Sequence, residues 1–290
     1  MKVLIATDGS THAMHAAEFF SRLPHHAPLD LTVVTSIVYP NLHPADAVTM
    51  WPPEIWEQLR ESANEAVDRV HSLFDGADAT IVKEVLEGHA GESIVDKAAA
   101  IETDLIVLGA KGHSTVERIL LGSVSDYVAN HAHCGVVVIR PPTDGSEPAR
   151  LCTTIAYDGS QRSERAIDQF TQFGWGRTTQ THVLTAVPIV RFFGRDVLPD
   201  NVLRRDEQLA IASKAVQHAA QRLESTHADI ATHVLEAEHL GEAIIDFSER
   251  NGADLIVAGA TGFSGISRLL MGSVSQYLLR HAQCSVWIAR

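Results

Sequence analysis

Asp104-Leu105-Ile106-Val107-Leu108-Gly109-Ala110-Lys111-Gly112, closed nine residues later by Gly122-Ser123-Val124-Ser125, is the stretch that decides the fold. Its continuous apolar run reads as a parallel strand covered on both faces. The two glycines permit a tight turn, and Gly-Ser opens a helix marked by Val124, Tyr127, Val128 and Ala132 at helical spacing. The whole pattern returns at Asp254–Ser275, 150 positions on, with 14 of 22 residues identical.

The repeat extends outward in both directions. Ile5-Ala6-Thr7-Asp8-Gly9-Ser10 returns as Ile155-Ala156-Tyr157-Asp158-Gly159-Ser160, and His131 and Cys134 return as His281 and Cys284, all at the same offset. Self-similarity at one fixed period means a tandem duplication. The expected domains are residues 1–141 and 150–290. Between them, 142–149 reads as a linker, within the Pro-, Gly- and polar-rich run Pro141-Pro142-Thr143-Asp144-Gly145-Ser146-Glu147-Pro148.

Inside the first copy, strand patterns fall at Val3–Thr7, Leu31–Val38, Ala79–Leu86, Leu105–Leu108 and Val136–Ile139. A helix capped by Ser10 runs through Arg22. A second is traced by Ile55, Leu59, Ala63, Ala66, Val67, Val70 and Phe74, and a third by Ile94, Val95, Ala98 and Ile101. Five strands alternating with four helices predict an α/β chain of two tandem, doubly wound, five-stranded parallel sheets with right-handed crossovers. Ligands of such sheets bind beyond the carboxyl ends of the strands, where strand order reverses. The loops after the first and fourth strands lie there, and they hold the repeated motifs.

Composition narrows the partners. The chain has 290 residues, 23 basic against 36 acidic, and a formal charge of −13. A nucleic acid or an anionic membrane surface would be repelled by that balance. No apolar run approaches the ~20 residues of a membrane span, and the N-terminus reaches Asp8 before a signal-peptide core could form, so the expected location is cytoplasmic. Three cysteines make no disulfide framework. Charge is unequal between the copies: 9 basic and 19 acidic residues up to Pro141, against 14 and 17 after it.

Two readings of the glycine loop stand. In one it is a phosphate cradle: glycines let backbone N–H groups approach an anion, and the uncapped start of the following helix favours negative charge by about 0.3–1 kcal/mol per contact. In the other the glycines only make the turn and the serines only cap. The spacing is neither the dinucleotide fingerprint nor a Walker loop.

Gly-x2-Gly-x9-Gly-Ser, with Asp at the end of the first strand and a helix ending His-Ala-x-Cys, resembles the ATP-binding branch of the universal stress protein family in its tandem form. The resemblance covers all but the linker. It implies a Rossmann-like fold of the adenine nucleotide alpha hydrolase-like kind, with ATP, accompanied by Mg2+, between the first and fourth strands. Carried over by position, Asp8 and Asp158 would hydrogen-bond the nucleoside, and Ala6 and Ala156 would let it lie close to the backbone. Backbone groups near Ser36 and Ala186 would read adenine. Gly109, Gly112, Gly122, Ser123, Val124 and Ser125 would hold phosphates, as would Gly259, Gly262, Gly272, Ser273, Val274 and Ser275. Lys111 is replaced by Thr261 in the second copy, so the first site holds charge better. Arg118 and Arg268 stand within reach of a phosphate or are solvated loop arginines. Gly135 and Ser285 depart from the family's usual Pro.

Function then divides three ways: an ATP-binding regulatory protein of the stress response, a slow Mg-dependent ATP hydrolase, or a scaffold that binds nothing. Asp8 and Asp158 read as binding groups rather than a catalytic pair, since they fall in different copies. His131-x-His133-Cys134 loses a ligand in its counterpart, His281-x-Gln283-Cys284, so a helix end is favoured over a metal site. Cys134 and Cys284 are expected buried and inert. The segments Tyr39–Ile55 and Pro188–Asn201 read as long loops that cover adenine, present a partner surface, or lie on their own domain. The last strands, Gly135–Arg140 and Ser285–Arg290, are expected to meet as an intramolecular pseudo-dimer of the repeats, with a further homodimer open.

Overall fold

A computed structural model describes residues 1–24, 28–38, 53–113, 121–142, 150–175, 179–189, 199–224, 229–261 and 271–290. The chain divides into two compact units, Met1–Pro141 and Pro142–Arg290.

The first unit runs β1 Lys2–Ala6, α1 Thr11–Arg22, β2 Leu29–Ile37, α2 Pro53–Ser72, β3 Ala79–Glu87, α3 Ala90–Ala100, β4 Leu105–Gly109, α4 Ser123–His131 and β5 Gly135–Ile139. Its strands are parallel, in the order β3-β2-β1-β4-β5. Strand order therefore reverses between β1 and β4, where Val3 pairs with Leu105 and Ile5 with Val107. Every residue of β4 and β5 is buried, as a strand covered on both faces requires. Helix α1 begins where Ser10 Oγ accepts the N–H of Ala13 at 3.2 Å. It buries Ala13, Ala16, Ala17 and Phe20, and the Phe20 ring meets Phe74 at 6.4 Å. Burying a ring of this size stabilises by about 1.5–3 kcal/mol.

The second unit repeats the plan: β6 Leu151–Ala156, α5 Gln161–Phe173, β7 Thr179–Pro188, α6 Pro199–Leu223, β8 Asp229–Ala237, α7 Leu240–Arg250, β9 Leu255–Gly259, α8 Ser273–His281 and β10 Ser285–Ala289. Its order is β8-β7-β6-β9-β10, again parallel. The expected doubly wound α/β fold is what the chain adopts, with strand ends moved by one or two residues. The core differs in kind. Trp175 and Trp287 lie 5.0 Å apart with Phe170 and Phe173 against them, a cluster without counterpart at Val137 of the first unit. The central strand β6 buries Thr153 and Thr154 where β1 has Val3 and Leu4.

The cysteines correct one expectation. Cys134 and Cys284 are half-buried, because they stand in the turn between helix end and last strand; the buried one is Cys152. Burial, reinforced by Asp254, raises the Cys152 thiol to about 11, which leaves it protonated and inert. No helix among the described residues is long and apolar enough to cross a membrane.

Candidate functional site

The first unit's site is built where β1 runs out. Thr7 N–H still donates to the Val34 carbonyl at 2.9 Å, as a strand would. Gly9 then takes φ +77°, and its N–H donates to Thr7 Oγ1 at 3.1 Å. Asp8 Oδ1 accepts the N–H of Ser10 at 3.0 Å. One carboxylate oxygen is therefore spent on the turn, while the exposed Asp8 directs Oδ2 toward the glycine loop.

That loop is drawn in around Asp8. A Cβ built on Gly112 would fall 2.2 Å from Asp8 Oδ2, so a side chain there would have to displace the carboxylate or the loop. One built on Gly109 would fall 2.8 Å from the His12 carbonyl oxygen, because the end of β4 passes against the start of α1. The base of the loop is closed by Gly122 N–H donating to the Ala110 carbonyl at 2.7 Å. The Ser125 hydroxyl donates to the Gly109 carbonyl at 2.8 Å. Gly122 is the N-cap of α4 and supplies no side-chain cap, so among the described residues no cap side chain takes the first-turn N–H groups of Ser123, Val124 and Ser125.

These elements enclose a cavity of about 600 Å3. Its glycine-rich end is formed by Gly109, Lys111, Gly112, Gly122, Ser123 and Val124. Ala6, Asp8 and Ser36 line the middle, with the Ser36 hydroxyl donating to the Gly88 carbonyl at 2.9 Å. The far wall is apolar: Leu59, Ala63 and Ala66 from α2 and Ile94 from α3. Leu59 stays 41% exposed although it stands on the helix's core-facing stripe, because part of that stripe covers the cavity instead of the sheet. An apolar wall facing a few convergent polar groups at this volume is what a small-molecule site needs.

All ten described candidates of the first unit, Ser125 included, border this one space; Arg118 lies outside the described residues. The Ser125 hydroxyl gives its proton to the Gly109 carbonyl, so what Ser125 offers a ligand is its backbone N–H. Sequence reading missed the α2 wall and His113, whose Nε2–H donates to the Asp8 carbonyl at 2.8 Å and ties the loop to the β1 turn. The signal for His113 was its place immediately after Gly112.

The second unit keeps the scaffold. Asp158 Oδ1 accepts Ser160 N–H at 2.9 Å, Gly272 N–H donates to the Ala260 carbonyl at 2.7 Å, and the Ser275 hydroxyl donates to Gly259 at 2.7 Å. Gly259 is held against the Arg162 backbone as Gly109 is against His12. Ala156, Ala186, Ser273 and Val274 stand at the matching strand ends and helix start. Gly262 and Arg268 lie outside the described residues, as does most of each long loop, 39–52 and 190–198, and the linker 143–149. Tyr157 replaces Thr7. Its buried hydroxyl donates to Glu164, which Arg222 bridges along with Asp168, so α5 and α6 are tied together beneath the turn. Burial raises the Tyr157 phenol, with Arg222 opposing.

His131 is occupied at the end of α4: its ring stacks on Tyr127 at 4.0 Å and its Nδ1–H donates to the Tyr127 carbonyl at 2.8 Å. Tyr277 and His281 repeat this at 4.1 Å and 2.9 Å. Among the described residues no group of three or more His, Cys, Asp or Glu is gathered as a metal site would require.

Comparison with known proteins agrees with this architecture. The sequence profile of the universal stress protein family matches residues 1–140 and again 154–290. A universal stress protein of Methanocaldococcus jannaschii is 33% identical over 141 residues, covering 49% of this chain and 82% of its own. A universal stress protein of Mycobacterium tuberculosis is 25% identical over 317 residues, covering 99% of this chain and 96% of its own. Among solved structures, a universal stress protein from Archaeoglobus fulgidus superposes with a TM-score of 0.62 at 19% identity, covering 100% of this chain and 96% of that one, which speaks for the fold alone.

Proposed function

We propose that this chain, which belongs to the universal stress protein family, is a regulatory protein of the cytoplasm that binds an adenine nucleotide, ATP foremost, once in each unit. The observation that carries the reading is the cavity of about 600 Å3 at the β1/β4 reversal, with open backbone N–H groups at one end and an apolar wall at the other. A nucleotide has the same two-part chemistry. Its triphosphate would lie on the loop amides from Gly109 to Gly112 and on the start of α4, where the helix dipole and the unfilled N–H groups favour anions. Asp8 would accept from the ribose hydroxyls, and the base would rest between the end of β2 and Leu59 and Ala63. Mg2+ would enter with the phosphates.

The described groups bind rather than react. Asp8 already gives one oxygen to the Ser10 N–H, and the loop contributes amides that stabilise charge equally before and after any phosphoryl transfer. Uniform binding of this kind lowers a dissociation constant without lowering a barrier. Occupancy is therefore the output: a filled site fixes the glycine loop and the helix walls, and a partner reads the difference.

Thermal unfolding in the presence of ATP tests this. A ligand at 100 times its Kd adds about 2.7 kcal/mol to the bound state, enough to raise Tm by several degrees. An unchanged Tm at millimolar ATP would favour the scaffold that binds nothing.

A further inference from the structure

We infer that Tyr127 is a positioning residue of the first site: its ring, seated on the bare backbone of Gly91 in α3, sets the first turn of α4 against the cavity from outside it. The inference rests on the proposed function and goes beyond it, naming what orients the helix start on which the phosphates would lie.

Helices α3 and α4 pack together, and Gly91, buried in the first turn of α3, is a point where they meet. A Cβ built on Gly91 would fall 2.7 Å from Tyr127 Cδ1, 2.9 Å from Cγ and 3.1 Å from Cβ. Glycine is a poorer helix former than alanine, and the ring supplies the reason for it here. The His131 ring stacks on Tyr127 at 4.0 Å and restricts it further. The second unit repeats the packing: a Cβ on Gly241 would fall 2.7 Å from Tyr277 Cδ1, and His281 stacks on that ring at 4.1 Å.

Placement along both helices connects the contact to the cavity. On α3, Ala90 and Ile94 line the cavity on either side of Gly91 in sequence. On α4, Ser123 and Val124 line it, and they precede Tyr127 by four and three residues, which puts all three on one helix face. A rotation of α4 that moved Tyr127 would carry Ser123 and Val124 with it. The Ser125 hydroxyl holds α4 to the Gly109 carbonyl at 2.8 Å, but a helix can turn about one hydrogen bond. The ring on Gly91 is a second point of attachment, and it opposes that turn.

The competing reading is that Tyr127 only fills space between two helices. Distances separate the two. Carbon atoms pack at about 3.5–4.0 Å, so alanine at position 91 would have to push the ring back by about 0.8 Å or more. Swinging the ring cannot relieve this alone, because Tyr127 Cβ is itself only 3.1 Å away; one helix has to shift. A binding site tolerates displacements of about 0.5 Å. A space-filling ring would affect stability alone, whereas a positioning ring also sets affinity.

Calorimetric titration of the full chain with ATP tests this, the first-unit step being the one that Gly112→Val removes. Gly91→Ala is expected to weaken that step roughly tenfold, with far-UV circular dichroism unchanged, and Tyr127→Leu to weaken it as well. Tyr127→Phe keeps every carbon of the contact and is expected to keep the unaltered affinity. Since Gly91→Ala and Tyr127→Leu break the same contact, the double variant should lose less than the product of the two single losses. Unaltered first-step affinity in both folded single variants, whatever their Tm, would overturn the positioning role and leave the proposed function standing. A loss in Tyr127→Phe equal to that in Tyr127→Leu would overturn it too, since the hydroxyl would then be the acting group. If the unaltered chain binds no ATP, the proposed function fails and the positioning role with it. Should Gly91→Ala fail to fold, Tyr127→Leu set against Tyr127→Phe decides the point: weaker binding in the first only is expected, and equal binding overturns the inference.

Discussion

The Asp8 carboxylate occupies the space that any side chain at position 112 would need: a Cβ on Gly112 would lie 2.2 Å from Asp8 Oδ2. Residues 104 positions apart in sequence are thereby fixed against one another, and each sets the geometry of the proposed phosphate end. Gly112→Ala must displace either the loop or the carboxylate. We expect ATP affinity at the first site to fall at least roughly tenfold, the equivalent of about 1.4 kcal/mol, with far-UV circular dichroism unchanged. Calorimetric titration checks this; full affinity in the folded variant would mean that the contact is irrelevant to binding.

Acid should weaken the second unit through a pair of facing histidines. His182 Nδ1 and His233 Nε2 lie 3.1 Å apart, close enough to share one proton, and Phe247 of α7 covers both rings. Burial holds His182 below its ordinary value of 6.5, with Asp229 opposing. Burial and then the neighbouring His182 hold His233 below it as well. A depressed histidine binds protons less readily folded than unfolded. Its contribution is therefore intact above about 6.5 and is lost as pH falls from there toward the folded-state values. The first unit has Thr32 and Lys83 at these positions. Melts between pH 7.5 and 5, followed by fluorescence of the buried Trp175 and Trp287, should show a falling Tm that His182→Thr flattens. A pH-independent transition would refute the linkage.

Removing a hydroxyl should stabilise the chain. Thr154 is 0% exposed on the central strand β6, and among the described residues its Oγ1 has no hydrogen-bond partner. A buried orphan costs about 1–3 kcal/mol, whereas Leu4 fills the same position in β1. Thr154→Val keeps the shape and is expected to raise Tm by about 2–4 °C per kcal/mol recovered. A lower Tm would show that the hydroxyl is satisfied after all.

Hydrolysis should be slow. With binding amides and one half-committed carboxylate, phosphate release from ATP is expected far below the ~1–100 s⁻¹ of kinases. A steady-state phosphate assay on the unaltered chain and on Asp8→Asn checks it. Turnover in the kinase range, abolished by Asp8→Asn, would make the chain an ATP hydrolase.

Much of this molecule was legible in local pattern, and the failures have a common cause. The apolar runs of β4 and β5, the Ser10 cap and the glycine spacing each depend on a few neighbouring residues, and each appears in the fold where the pattern implied. The α2 wall of the cavity did not announce itself. Leu59, Ala63 and Ala66 carry helical periodicity, but which part of their stripe overhangs the strand ends depends on how α2 crosses the sheet. The Tyr157–Glu164–Arg222 bridge joins positions 65 apart, and a one-residue change from Thr7 gives no hint of it. The fate of the Ser125 hydroxyl was hidden for the opposite reason: a serine at a helix start suits a cap, a ligand contact and a carbonyl anchor equally, and only the closeness of Gly109 selects the third.

The central claim is that each unit's glycine loop holds an adenine nucleotide. Equilibrium dialysis of labelled ATP against the unaltered chain, Gly112→Val, Gly262→Val and the double variant tests it most directly. The account predicts binding by the unaltered chain, loss of one site's share in each single variant, and none in the folded double variant. No binding by the unaltered chain, or full binding by the double variant, would contradict it.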